Sequence, residues 1–324
     1  MGKNSKKCLR GAVIFMSRTF RFKKEDALYH VICKSISELG LYRDSEDKTK
    51  YLMLIKKYKL IYNFKLYGYC LMDTHSHLII DANGSDISKV MHGVNFSYAL
   101  YYNKKYKRKG HLFGDRFKSI IVDNDRYLKT LSLYVHNNPR DILEYKDCPE
   151  KYVFSSLATF LGGEHDHFNL VDYGYVLSLF GNSTKNSRKN YHKLISRCNE
   201  EKLKEEIEFE DEMEFNNQKT EYISGRTLLI RNYKSKDIIE FIVSKMKISK
   251  VHLNMKYSRK VVQAKALAVI LMRSLCGFRS SDICTLLGNI TQSRVSKLST
   301  IGIGLIEKSE EFESIIQEFI ECYT

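Results

Sequence analysis

The 324-residue sequence predicts a mixed α+β or α/β layer followed by a small all-helical region, and three observations carry that expectation. From about Phe15 to Phe180, short β-branched and aromatic runs alternate with segments of helical periodicity. After Gly181 the texture changes to Asn182-Ser183-Thr184-Lys185-Asn186-Ser187 and then to a glutamate-dense stretch from Glu200 to Glu214 with few apolar anchors. A second compact region of helical patterns opens near Gly225-Arg226. The expected division is therefore 1–181, a charged linker or solvated helix over 182–224, and 225–324.

Element by element, Tyr29-His30-Val31-Ile32 reads as a strand and Asp47 to Tyr62 as an amphipathic helix. Lys65 to Ile80 gives one or two strands. Asp86 to Tyr106 is a long helical pattern with Ile87, Val90, Met91, Val94, Tyr98 and Tyr101 on one side. Gly110 to Val122 contains another strand and Asn124 to Asn138 another helix, so the helices return to one small sheet.

An apolar content of 43% supports well-filled cores, and a formal charge of +15 favours a polyanionic partner. The 22 Tyr and 17 Phe offer faces on which unpaired bases could stack. Eight cysteines are scattered with no C-x-x-C pair, as expected of reduced, mostly buried thiols in a cytoplasmic protein, and a DNA partner would make it nucleoid-associated. The apolar run after the basic start, Gly11 to Met16, is too short for the core of a signal peptide. The longest apolar helix, around Val261 to Met272, is interrupted by Gln263 and Lys265, so no membrane span is expected.

The chemistry concentrates in Leu71-Met72-Asp73-Thr74-His75-Ser76-His77-Leu78-Ile79-Ile80. Period-two alternation puts the imidazoles of His75 and His77 on one face of a strand. Two adjacent buried histidines make a poor core, because each ring brings two nitrogens that need partners. A shared divalent metal resolves that conflict, although H-x-H on a strand is by itself a weak signal. A second H-x-H, His165-Asp166-His167, follows Gly162-Gly163-Glu164 in a polar loop and is assigned no catalytic role.

Asp123-Asn124 offers an N-cap for a helix carrying Tyr127, Leu128, Leu131, Tyr134 and Val135, which ends at Asn138 because Pro139 disfavours helix in the residue before it. Tyr134 and Asn138, four apart, point the same way. A phenol and a carboxamide beside two imidazoles would make a phosphoryl-transfer site, although a lone tyrosine on such a helix is usually a core-edge aromatic. Tyr127, one heptad earlier, competes for the same role. His136 points away from that face and reads as a surface or nucleic-acid contact.

These segments together resemble a family. Tyr69 to Leu78, then Gly110-His111-Leu112-Phe113-Gly114-Asp115-Arg116-Phe117-Lys118, then Tyr127-Leu128 and Tyr134-Val135-His136-Asn137-Asn138-Pro139, then Ser155-Ser156, closely resemble the IS200-like, REP-associated tyrosine transposases, single-strand DNA nucleases of the HUH class. The resemblance covers roughly Phe15 to Gly181. It implies a ferredoxin-like antiparallel sheet, with His75, His77 and Asn138 holding Mg²⁺ or Mn²⁺, Tyr134 as nucleophile, and Arg116 and Lys118 in a basic strand near the DNA. Ser76 fills a slot the family usually gives to a bulky apolar residue. Asp73-Thr74 stands where Pro-Asn is common, and Arg140-Asp141-Ile142 where Val-Arg-Ala is common.

In the last third, Val261 to Ser274 is a helix. Ser280 or Ser281 caps a short helix, Asp282 to Leu287, which Gly288 ends. Thr291 opens another helix carrying Gln292, Ser293, Arg294, Ser296 and Lys297. This is a helix-turn-helix layout, and Gln263 to Leu271 with Gly277 to Gly288 resembles the replication-initiator (DnaA) C-terminal type. Arg294 and Lys297 are then the expected contacts to duplex DNA.

The expected activity is transesterification on single-stranded DNA hairpins through a 5′-phosphotyrosine. Two rivals remain open from the sequence: a helix-turn-helix regulator whose nuclease domain only recognises hairpins, and a metal-dependent hydrolase using activated water. Monomer and homodimer are both compatible with the sequence.

Overall fold

A computed structural model describes residues 27–36, 40–163, 166, 168–197, 203, 207, 233–254, 258–276, 278–288 and 290–323. The basic start, the Gly11 to Met16 run, most of the glutamate-dense stretch, Gly225-Arg226, His165 and His167 lie outside the described residues.

The first body runs β1 (Leu28–Lys34), α1 (Ser45–Tyr62), β2 (Lys65–Leu71), β3 (His75–Asp81), α2 (Ile87–Lys105) and β4 (Lys118–Val122). The strands lie in the order β2-β3-β1-β4, and every neighbouring pair is antiparallel. This βαββαβ succession is the ferredoxin-like arrangement, as expected. The stretch Lys65 to Ile80 resolves into two strands, and Met72 N–H donates to His75 O at 2.9 Å across their connection.

Helix α1 has a local reason to begin and end where it does. Asp44 accepts from Asp47 N–H at 2.9 Å at the start of α1, which ends on Asn63 in the left-handed region, φ 48°. Lys105, in the last turn of α2, reaches Asp44 and Asp47 at 2.8 Å, so one cation serves a helix C-terminus and two acids serve a helix N-terminus. Gly93 permits the close approach of α1 and α2, since a Cβ there would overlap the Tyr58 ring.

The rings of Tyr42, Tyr51 and Tyr98 meet with centroids 5.1–5.5 Å apart beneath these helices. Together with Tyr29, Tyr67, Tyr102 and Tyr127 they are buried, so much of the aromatic content expected to stack on bases instead fills the core. Among the described cysteines, Cys33 and Cys70 are buried, Cys322 is exposed and the rest are intermediate, a less buried set than expected.

Helix α3 (Asp125–Asn137), capped by Asn124 accepting from Tyr127 N–H at 2.7 Å, packs on β2 and β3. Three 3₁₀ turns, Asn138–Asp141, Leu143–Tyr145 and Pro149–Lys151, then lead to α4 (Leu157–Leu161), α5 (Tyr173–Ser178) and α6 (Thr184–Arg197). Tyr191 and Ile195 of α6 are buried in the first core. The packed body therefore runs on past Gly181, where the change of composition suggests a linker.

The second body is helical throughout its described residues: α7 (Ser235–Lys245), a 3₁₀ turn Val251–Asn254, α8 (Arg259–Leu275), α9 (Ser280–Leu287), α10 (Gln292–Lys308) and α11 (Glu310–Tyr323). Helix α8 is its centre, buried continuously from Ala266 to Met272. Arg279, rather than Ser280 or Ser281, is the N-cap of α9, and its N–H donates to Asp282 Oδ2 at 2.8 Å. Thr291 caps α10 as expected, accepting from Arg294 N–H at 3.2 Å. This core takes in Ile61 of α1, and the Arg273 guanidinium lies 5.9 Å from the centre of the Tyr62 ring, so the two bodies meet on α1. Among the described residues no helix is long and apolar enough to cross a membrane.

Candidate active site

In an antiparallel pair, residues directly opposite one another face the same side. The register sets His77 opposite Ile32, His75 opposite Lys34, and His30 opposite Ile79. Lys118 lies opposite Ile32 on the other side of β1. His30, His75, His77 and Lys118 therefore share one face, and Tyr134 of α3 reaches it.

The ring of Tyr134 stands edge-on to His77, centroids 5.3 Å apart and planes at 87°, and edge-on to His30 at 6.3 Å. The His75 and His77 rings are 5.1 Å apart and nearly perpendicular. Asn138 is buried at the end of the same helix, where its Nδ2 donates to Tyr134 O at 2.8 Å. With the Nδ2 donating there, the carboxamide Oδ1 is the group's acceptor. Tyr127, the competing tyrosine, is 2% exposed within the core, whereas Tyr134 is half-buried at the edge of the histidine cluster.

The histidines fit a divalent cation in their chemistry. Burial, reinforced by His30, His75 and Lys34, drives His77 well below its ordinary pKa, so the imidazole is neutral with a lone pair to offer. Its Nδ1 faces His30 Nε2 at 2.9 Å, and His75 Nδ1 faces Thr74 Oγ1 at 3.1 Å. With Nδ1 engaged in each ring, Nε2 is the nitrogen through which either would ligate. Two imidazole nitrogens and an amide oxygen form a neutral, mixed set of the kind that suits first-row divalent ions. Among the described residues no cluster of three His, Cys, Asp or Glu side chains is arranged for a metal.

His30 is the residue that sequence reasoning missed. It is fully buried, its ring stacks on His77 at 5.2 Å, and burial together with nearby Lys118 pushes its pKa down to about 3. The signal in the sequence is a polar residue inside the otherwise apolar and aromatic run Leu28 to Cys33. Lys34, exposed opposite His75, is a second residue the sequence does not single out; with Lys118 it places cations at the rim of the cluster.

His136 corrects the expected surface contact. It is completely buried, Nδ1 at 2.6 Å from Tyr191 Oη and Nε2 at 2.7 Å from Ser156 Oγ, and burial lowers its pKa to about 3. Ser156 Oγ in turn accepts from Tyr69 N–H at 2.8 Å. The chain β2–Ser156–His136–Tyr191 clamps α3 between the sheet and α6. Arg140, one of the departures from the family pattern, closes the same end: Nε donates to Asn137 Oδ1 and Nη1 to Lys146 O, both at 2.8 Å. Asp73, another departure, is exposed and pairs with Lys48 at 2.6 Å.

The basic strand is shorter than expected. Lys118 opens β4, but Arg116 is exposed in the preceding loop and lines a groove of about 1080 Å³ with His92 and Phe96 of α2. The structure therefore sets Lys118, not Arg116, beside the histidine face. Arg294 and Lys297 are exposed near the start of α10, in the second body.

No curated protein matches the chain. Among solved structures, that of a REP-associated tyrosine transposase bound to a REP hairpin is similar at 14% identity, covering 48% of this chain and 98% of that one with a TM-score of 0.39. Residues 23–138, the stretch that runs from before β1 to Asn138 and includes His75, His77 and Tyr134, match the model of the family described as transposase IS200 like.

Proposed function

We propose that this protein cuts and rejoins single-stranded DNA at hairpins through a covalent tyrosine intermediate. The observation that carries the reading is the half-buried Tyr134 ring set edge-on against His77, at the end of a helix that also presents Asn138. The family match over residues 23–138 supports it.

In this reading Tyr134 Oη attacks the scissile phosphorus, losing its proton as the P–O bond forms. The bond to the 3′ oxygen breaks, that oxygen takes up a proton, and the 5′ phosphate remains esterified to the tyrosine. His75, His77 and Asn138 would hold Mg²⁺ or Mn²⁺. A divalent ion supplies the positive charge that offsets the charge developing on the non-bridging phosphate oxygens. Lys118 and Lys34 draw the phosphate backbone toward the cluster. The ester retains the energy of the phosphodiester, so a second 3′-hydroxyl can reverse the step without a nucleotide cofactor.

The exposed Arg294 and Lys297 favour a second role for the helical body, holding duplex DNA with the start of α10 against the major groove. The test of the main reading is incubation of end-labelled hairpin oligonucleotides with Mn²⁺, followed by a denaturing protein gel. A labelled protein band that chelator and Tyr134→Phe both remove supports it. Cleavage without any adduct supports a water-activated hydrolase, and binding without cleavage supports a regulator.

A further inference from the structure

His30 is left without a task by the proposed reaction, yet a buried imidazole in a sheet carries a cost that demands one. It lies 1% exposed on β1, stacked on His77 with planes 22° apart. Its Nε2 is 2.9 Å from His77 Nδ1, and its own Nδ1 has no hydrogen-bond partner.

One hydrogen lies between those two nitrogens, and its position decides what His77 can do. If His30 Nε2–H donates, the neutral His77 carries its proton on Nε2 and has no lone pair there. If His77 Nδ1–H donates, His77 Nε2 is a free base and His30 carries its proton on Nδ1, the unpartnered nitrogen. Only the second arrangement makes His77 a ligand.

We propose that His30 is the positioning residue of the metal centre: it accepts the Nδ1–H of His77, fixing that ring's rotation and tautomer and leaving Nε2 for a divalent cation. The proposal rests on the reading of His75, His77 and Asn138 as a metal site. Metal-bound imidazoles as a rule give their second N–H to such an outer partner. His75 has Thr74 in the equivalent position, but that contact is exposed and water can replace the hydroxyl. His30, by contrast, is 1% exposed, out of reach of bulk water.

The test is Mn²⁺ affinity of the full chain, read by the electron paramagnetic resonance signal of free Mn²⁺, for wild type, His77→Ala, His30→Phe and His30→Gln. Wild type should bind through a site that His77→Ala abolishes. His30→Phe should weaken that site about 10- to 100-fold, and His30→Gln, whose amide oxygen can accept the same N–H, should recover most of the loss. A His30→Phe protein that binds as wild type overturns the proposal alone, as does a folded His30→Gln protein no better than His30→Phe. Absence of any wild-type site overturns the metal reading and the proposal with it. Nitrogen-15 NMR of the Mg²⁺-loaded wild type needs no variant to fold: His77 should be protonated on Nδ1, and a proton on Nε2 overturns the assignment.

Discussion

Tyr134 and His77 meet edge to face, centroids 5.3 Å apart, although one is on a helix and the other on a strand 57 positions earlier. The contact exists because α3 is pinned by its opposite side. His136, two residues on and therefore pointing away from Tyr134, is held by Tyr191 and Ser156, so the clamp and the site are two faces of one helix.

That clamp should be costly to remove. His136→Ala takes one partner each from the Tyr191 and Ser156 hydroxyls and opens a cavity beside Phe160. A loss of about 2–4 kcal/mol of stability is expected in chemical denaturation. A loss below about 0.5 kcal/mol, the size of an ordinary surface change, would show that α3 is held elsewhere.

The histidine pair, the helix carrying Tyr134 and the strand–helix alternation are legible because each is written in local periodicity. His30 is not, because a single histidine between Tyr29 and Val31 acquires meaning only when β1 pairs with β3 and the register sets Ile32 opposite His77. Helical spacing alone turns His136 away from Tyr134. What it faces stays hidden, since α6 is a polar sequence whose few apolar positions, Tyr191, Leu194 and Ile195, do not announce a buried helix. The neighbours of Arg116 suggest a strand, but the backbone of 112–114 bonds to Lys34 and Ile36 ahead of β4 and leaves Arg116 in the loop.

In the helical body, Gly302 is where α10 crosses α8. A Cβ there would come within 2.8 Å of Ala266 O and Ile270 Cγ1. Gly302→Ala should therefore destabilise the protein by about 1–3 kcal/mol through overpacking, even though alanine is the better helix former. A rise in melting temperature would mean that the two helices do not approach so closely.

If the start of α10 holds duplex DNA, Arg294→Ala and Lys297→Ala should each weaken that binding. Each substitution that frees one phosphate should flatten the slope of log affinity against log salt by about 1. Filter binding or fluorescence anisotropy over a salt series checks this. Unchanged slopes would confine DNA binding to the first body.

The identity of the nucleophile is tested by mapping the covalent bond. Wild-type protein is incubated with a hairpin oligonucleotide and Mn²⁺, digested with nuclease and protease, and searched by mass spectrometry for the peptide carrying a nucleotide phosphate. The modification is expected on Tyr134. A modification on Tyr127, which would require that buried ring to leave the core, or reaction products without any modified peptide, would contradict it.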